Sequence, residues 1–142
     1  MKNKGTAVIT GAANGIGQAY AKSLAANGFD SVVANFVDLA ATKVPPVTAL
    51  VNNAVIYPWK SFEDTGYNTW RKVMNVNLDE AFLICKTFVI VMTRRSYGSI
   101  LNVVSTTCWL KLQQITAYIA SKGDIINFIR ALASVIGTLY SN

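Results

Sequence analysis

The sequence predicts an α/β protein built on a parallel, doubly wound sheet reduced to about four strands. Short apolar, β-branched runs alternate with stretches whose apolar residues recur at helical spacing. The first run passes through a glycine-rich turn directly into a helical stretch. The runs are near-continuously apolar rather than alternating, as strands buried on both faces are.

Thr6-Ala-Val-Ile-Thr10 is the first strand, ending at Gly11. Small and apolar residues at helical spacing follow from Gly15 through Asn27, and Gly28 stops that helix. Ser31 to Phe36 is the second strand, and Val47 to Val51 the third, ending at Asn52-Asn53. Between them Pro45-Pro46 forbids a continuing helix and favours an extended segment. From about Tyr67 to Arg95, positions such as Trp70, Val73, Val76, Phe82, Cys85 and Phe88 predict two successive helices bent near Asn77. Ser99 to Val104 is the fourth strand, and a last amphipathic helix runs from about Ile115 to Ile136, stopping at Gly137. No repeat, low-complexity tract or linker divides residues 1–142, so one domain is expected.

The 142 residues are 52% apolar and 14% charged, with 13 Lys and Arg against 7 Asp and Glu, a net charge of +6. Such a chain has enough apolar side chain for a core. Its excess, a mean hydropathy of +0.34, suggests surface covered by a partner or left without its covering elements. No histidine is present, which removes Ser-His-Asp and Cys-His catalysis and every imidazole metal site. Cys85 and Cys108 stand too far apart for a CxxC pair or zinc knuckle, and two thiols suit a reducing, cytoplasmic setting. Thr6–Thr10 is too short for a signal-peptide core. Ala81 to Met92, interrupted by Lys86, falls short of the ~20 residues that span a bilayer. Neither secretion nor membrane insertion is expected. The cations are scattered, densest at Arg71-Lys72 and Arg94-Arg95, so no nucleic-acid partner is expected; they suit attraction of a small anionic ligand.

Two groups of residues carry chemistry. Thr10-Gly-Ala-Ala-Asn-Gly-Ile-Gly17 joins the first strand to the first helix, where a glycine turn brings a pyrophosphate onto a helix N-terminus. Gly11 permits the tight turn, Gly15 lets backbone approach phosphate, and Gly17 lets helix and strand pack closely. The same turn also serves plain geometry in many proteins; its placement favours the ligand. Tyr118-Ile-Ala-Ser-Lys122 sets a phenol and an ammonium on one helix face. A phenol ionises near pH ~10, and a neighbouring cation favours the phenolate. Tyr and Lys at this spacing are also an ordinary helix surface. Ser105 at the end of the fourth strand, Asn77 and Asn52-Asn53, in that setting, change the balance.

This ordered set resembles the short-chain dehydrogenase/reductase (SDR) family, whose glycine turn matches Gly11, Gly15 and Gly17. Its Asn-Asn-Ala-Gly stretch matches Asn52-Asn53-Ala54-Val55 except at the last place, and its catalytic Asn, Ser, Tyr and Lys fall on Asn77, Ser105, Tyr118 and Lys122. The resemblance runs over nearly the whole chain and implies a Rossmann-like fold and hydride transfer between a nicotinamide and a secondary alcohol or ketone. It implies that Tyr118 exchanges the proton with the substrate oxygen, Ser105 orients that oxygen, Lys122 supports the tyrosine and the nicotinamide ribose, and Asn77 supports a relay water. The implied cofactor contacts are Gly11, Asn14, Gly15, Ile16, Gly17, Asn35, Asn53, Ala54, Tyr118 and Lys122. Asn35 stands where an acid would select NAD, and no basic residue in the turn selects NADP. NAD or NADP therefore remains open, tilted toward NAD, with a lost contact at Asn35 as the alternative. The loops Ile56-Tyr57-Pro58 and Ser105 to Lys111 resemble members acting on aryl-substituted alcohols and ketones, such as phenylethanol dehydrogenases. Tyr57, Cys108 and Trp109 are candidates for the pocket or for a lid; Cys85 and Trp70 read as packing residues.

Asn35 and Asn52 lie only 17 positions apart, where the family pattern has a further helix, strand and helix. Four strands in the family's order 2-1-4-5 are expected. The ten residues from Val37 to Pro46 reach ~33 Å when extended, enough for the ~20 Å crossover. The stop after Asn142 leaves out the family's last strands, so a truncated, incomplete domain is expected. Val55, Glu80 and Asp124 replace small residues of the pattern. Two readings follow: an NAD(P)-dependent oxidoreductase, self-associating through its long helices, or a catalytically silent Rossmann-type fragment that binds only nucleotide or a partner subunit.

Overall fold

The computed structural model describes residues 4–33, 46–110 and 112–139. Asn35, with the whole stretch from Val37 to Pro45, lies outside the described residues. The chain divides into two compact units, Met1–Ala54 with Leu83–Val103, and Val55–Phe82 with Val104–Asn142.

The first unit holds β1 (Thr6–Ile9), α1 (Gly15–Ala26), β2 (Asp30–Val33), β3 (Val47–Asn52) and β4 (Ser99–Asn102). The strands form one parallel sheet in the order β2-β1-β3-β4. Every residue of β1 is buried, as a Thr-Ala-Val-Ile run without alternation requires of an inner strand. Ala7, Ile9, Ala12 and Val51 form a core against which Tyr20, Ala21 and Leu24 pack, one face of α1 at helical spacing. Ile9 pairs with both Val33 and Val51. The turn after β1 and the Asn52-Asn53 end of β3 therefore emerge side by side at the carboxyl edge of the sheet, where open parallel sheets bind ligands.

Strand ends are set by partners rather than by composition. Thr10 N–H still donates to Val51 O (3.0 Å), but the regular ladder stops at Ile9. β4 stops at Asn102, not Val104, because its partner β3 ends at Asn52, whose carbonyl takes one last bond from Val103 N–H (3.0 Å).

The second unit holds α2 (Tyr67–Met74), a π-helical turn (Asn75–Asp79), a 3-10 turn (Thr106–Trp109) and α4 (Thr116–Leu139); α3 (Glu80–Arg94) begins at the π turn. The break expected near Asn77 is that turn, in which Glu80 N–H donates to Asn75 O, five residues back. α2, the π turn and the 3-10 turn all pack on α4. α4 continues through Gly137 to Leu139 rather than stopping there. The glycines at positive φ are 5, 11, 15 and 28, so Gly137 keeps right-handed geometry, and a helical glycine costs only about 1 kcal/mol relative to Ala.

Candidate active site

The glycine turn is built by mutual hydrogen bonding of two loops in the first unit. Thr10 Oγ1 accepts from Asn53 N–H (3.0 Å) and Ala54 N–H (2.9 Å). Asn53 Nδ2 donates back to Thr10 O (3.1 Å) and Gly11 O (3.3 Å). Gly11 adopts φ +63°, and a Cβ there would stand 2.8 Å from Ala54 Cα. A Cβ on Gly17 would stand 2.5 Å from both Asn53 Nδ2 and Gly11 O. Close packing calls for glycine at both positions, and at Gly11 the positive φ does so as well. Gly15 is different: it adopts φ +54°, and a Cβ there would meet nothing within 4 Å. The positive φ is what calls for glycine here, and the space beside it is open.

Gly15 is the first residue of α1, so this open space lies at the helix N-terminus. Asn14 caps α1 without a side-chain hydrogen bond, and the first turn carries no acid. Its N–H groups and the helix dipole are left for an anion. The pyrophosphate of a dinucleotide fits this donor set: open space over Gly15, free N–H groups, and no carboxylate to repel it. Ile16, the next residue, is 64% exposed, an apolar side chain at the rim of the same turn.

In the second unit, Asn77 lies in the π turn and is 3% exposed. Its Oδ1 accepts from Ile56 N–H (2.9 Å), and its Nδ2 donates to Ile56 O (2.9 Å) and to Ser121 Oγ (3.0 Å). Both amide protons are spent. Ser121 Oγ in turn donates to Tyr118 O (2.7 Å). Ser105 caps the 3-10 turn, its Oγ accepting from Thr107 N–H (3.2 Å) and Thr107 Oγ1 (2.8 Å). Serine at a cap is a common structural role, yet its own proton remains to be given. The Tyr118 ring meets Tyr57 at 5.8 Å between centroids, inclined at 60°.

Lys122 Nζ lies 6.0 Å from the Tyr118 ring centroid, and the residue is only 4% exposed. Burial pushes the ammonium below the usual lysine range, and its electrostatic interaction with Cys108 opposes this. With the folded-state value below the unfolded one, unfolding takes up a proton in the window between them. Folded-state stability therefore rises with pH through that window, and the cost of the buried charge stands in full below it. Lys122→Met is expected to lose this rise: in denaturant melts from pH 7 to 10.5, the stability difference between wild type and variant shifts steadily toward the wild type. A pH-independent difference contradicts the burial.

Tyr57 also lines an open cavity of about 540 Å³ with Val55, Ile56, Lys60, Thr69 and Lys72. Trp109 is exposed and Cys108 half-buried on the 3-10 turn. Trp70 lines a second cavity, of about 330 Å³, with Phe62 and Tyr67, rather than being closed into the core. Cys85 is buried, and its Sγ accepts from Asn52 Nδ2 (3.3 Å), which also donates to Asn102 Oδ1 (2.8 Å). Thr10 and Ser121 lie inside the two motifs, yet the motifs assign them no contact of their own. Thr10 precedes the first glycine and Ser121 precedes Lys122, but their partners lie 43 and 44 residues away. Among the described residues no cluster of three or more His, Cys, Asp or Glu could hold a metal ion. No described helix is long and apolar enough to cross a membrane.

Comparison with known proteins agrees with this arrangement. The family model described as short chain dehydrogenase matches residues 30–138. D-beta-hydroxybutyrate dehydrogenase of Cupriavidus necator is 29% identical, over 94% of this chain and 65% of its own. Galactitol 2-dehydrogenase (L-tagatose-forming) of Cereibacter sphaeroides is 35% identical, over 90% of this chain and 51% of its own. A solved short chain dehydrogenase/reductase family protein superposes with a TM-score of 0.86 at 25% identity, covering 96% of this chain and 70% of that one. The chain thus spans roughly half to two thirds of the length of these curated relatives. The hydroxybutyrate dehydrogenase alignment runs over 168 positions, more than the 142 residues present, so that relative has residues within the aligned region that this chain lacks. With a parallel, doubly wound Rossmann-like fold and a family match over more than half its length, the chain belongs to the short-chain dehydrogenase family.

Proposed function

We propose that the protein is an NAD(P)-dependent oxidoreductase that interconverts secondary alcohols and ketones, aryl-substituted ones included, with Tyr118 as the acid/base. The observation that carries this reading is the burial of Lys122 at 6.0 Å from the Tyr118 ring. A lysine on an ordinary amphipathic helix keeps its ammonium in water, and desolvating one without a purpose is costly. Here its charge faces a phenol.

In this reading Tyr118 gives its proton to a carbonyl oxygen or takes it from an alcohol, and the buried Lys122 charge favours the phenolate that results. Ser105, its acceptor positions occupied by Thr107, donates its own proton to the substrate oxygen. Asn77 has no side-chain proton left for a relay water; its carbonyl groups are what it offers. When bound, the nicotinamide supplies or accepts the hydride. Gly11, Asn14, Gly15, Ile16, Gly17, Asn53 and Ala54 hold its dinucleotide, and Asn35 its adenosine ribose, with NAD the finer choice over NADP. β3 and β4 take the places of the family's fourth and fifth strands, giving its order 2-1-4-5. The protein works in the cytoplasm as a homo-oligomer through α3 and α4, on which Ile90, Val91 and Val135 are exposed.

The shortened internal region and Val55, exposed at the last place of the Asn-Asn-Ala-Gly pattern, favour a second reading, a silent fragment that binds nucleotide or a partner only. Titration with NADH and NADPH by fluorescence tests the first step. Saturable binding is expected, and Gly15→Val is expected to abolish it while costing only about 1–2 kcal/mol of stability, the strain of a side chain at positive φ. Absence of saturable binding to the wild type ends the enzyme reading. Binding without turnover of any secondary alcohol or ketone leaves the silent fragment.

A further inference from the structure

We propose that Ser121 is a positioning residue for proton exchange at Tyr118, an inference that rests on the reading of Tyr118 as the acid/base. Ser121 is fully buried, 0% exposed, so its hydroxyl is not a solvated surface group that happens to find a partner. A buried hydroxyl needs its bonds, and this one makes two of different kinds. It donates within its own helix to Tyr118 O (2.7 Å) and accepts from Asn77 Nδ2 (3.0 Å) in the π turn. Asn77 in turn is held on both sides of its amide by Ile56, through N–H and C=O (2.9 Å each).

The result is a continuous chain from the backbone of the Ile56 loop, through Asn77 and Ser121, to the backbone of Tyr118. Ile56 and Tyr57 are adjacent, and the Tyr57 ring lies against Tyr118. The phenol is thus set from two directions: its backbone by Ser121, its ring by Tyr57. Both settings originate in the one loop. Serine within a helix ordinarily bonds back to its own turn and contributes little. Here the back-bond fixes the direction of the hydroxyl proton, leaving its lone pairs as the acceptor for Asn77. Alanine would preserve the helix but leave an Asn77 N–H buried without an acceptor, freeing the turn that carries Tyr118 and Lys122. Near-attack geometry is sensitive to such shifts, since about 1 Å of misplacement costs on the order of 100-fold.

The test uses the full chain with Ser121→Ala, Ser121→Cys and Ser121→Thr. Ala removes the hydroxyl, Cys keeps the shape with a weak donor and acceptor, and Thr retains the hydroxyl. In steady-state reduction of an aryl ketone, Ala and Cys are expected to lower kcat about 10- to 100-fold with KM within about twofold, and Thr to recover most of kcat. The double variant Asn77→Ala/Ser121→Ala is expected to lose no more than Asn77→Ala alone. An Ala or Cys variant with kcat within about twofold of wild type overturns the proposal, as does full additivity with Asn77→Ala. NMR of ring-¹³C-tyrosine protein without cofactor supplies an independent reading, with the Tyr118 signals assigned by their loss in Tyr118→Phe. They are expected to move in the Ala and Cys variants and return in Thr; unmoved signals overturn the role of Ser121 whatever the turnover. A wild type that reduces no ketone, with Tyr118 signals that do respond, overturns the acid/base reading and not the Ser121 contact.

Discussion

Tyr118→Phe is expected to lower turnover of an aryl ketone by about 10²- to 10⁴-fold, the range that one positioned acid/base group contributes. Binding of NADH is expected to stay within about twofold. The substitution removes one oxygen and nothing else. The ring contact with Tyr57 at 5.8 Å is kept, as is the Tyr118 carbonyl that takes the Ser121 proton. A fall in turnover with unchanged cofactor affinity therefore locates the loss at the proton transfer itself. Paired stopped-flow turnover and fluorescence titration measure the two quantities on one preparation. Unchanged turnover would remove Tyr118 from the chemistry and with it the mechanism proposed above.

Gly17→Ala is expected to destabilise the protein by about 1–3 kcal/mol, the usual cost of overpacking, and to weaken cofactor binding along with it. Its Cβ would come within 2.5 Å of the Gly11 carbonyl, a backbone atom that cannot turn aside, and of Asn53 Nδ2. Moving Asn53 breaks its bonds to Thr10 and Gly11, which tie the turn after β1 to the end of β3. Denaturant melts of Gly17→Ala and Gly15→Val separate packing from binding: the first variant loses stability and affinity, the second chiefly affinity. Equal stability of Gly17→Ala and wild type would show that the turn is looser than its geometry requires.

The two glycines show how far sequence reading reaches. Spacing alone assigns Gly11, Gly15 and Gly17 to one turn between a strand and a helix, because strand-turn-helix is a local arrangement. It does not distinguish a glycine held by packing from one whose backbone angle alone calls for glycine, with open space beside it. That distinction depends on Asn53 and Ala54, which reach the turn from beyond β2, and on what lies above Gly15. Likewise the four-residue interval from Tyr118 to Lys122 puts both on one helix face, but the burial of the ammonium is decided by what packs on α4. The strand ends moved for the same reason: Val103 and Val104 have the composition of strand residues, and β4 stops short of them because β3 has no more residues to offer.

By itself, then, the sequence determined the succession of strands and helices, the fold class, the exclusion of histidine chemistry, and the ordered residues that mark the family. The first three follow from periodicity and composition along the chain; the last is a resemblance, carried by residue types standing in the family's order. Only the tertiary structure decided that the bend at Asn77 is a π turn, that both Asn77 amide protons are spent on Ile56 and Ser121, and that Ser121 joins the π turn to α4. The Asn77 and Ser121 contacts join residues more than twenty positions apart, and such contacts are chosen by the packing of whole elements rather than by the residues on either side; the π turn itself closes over only five residues.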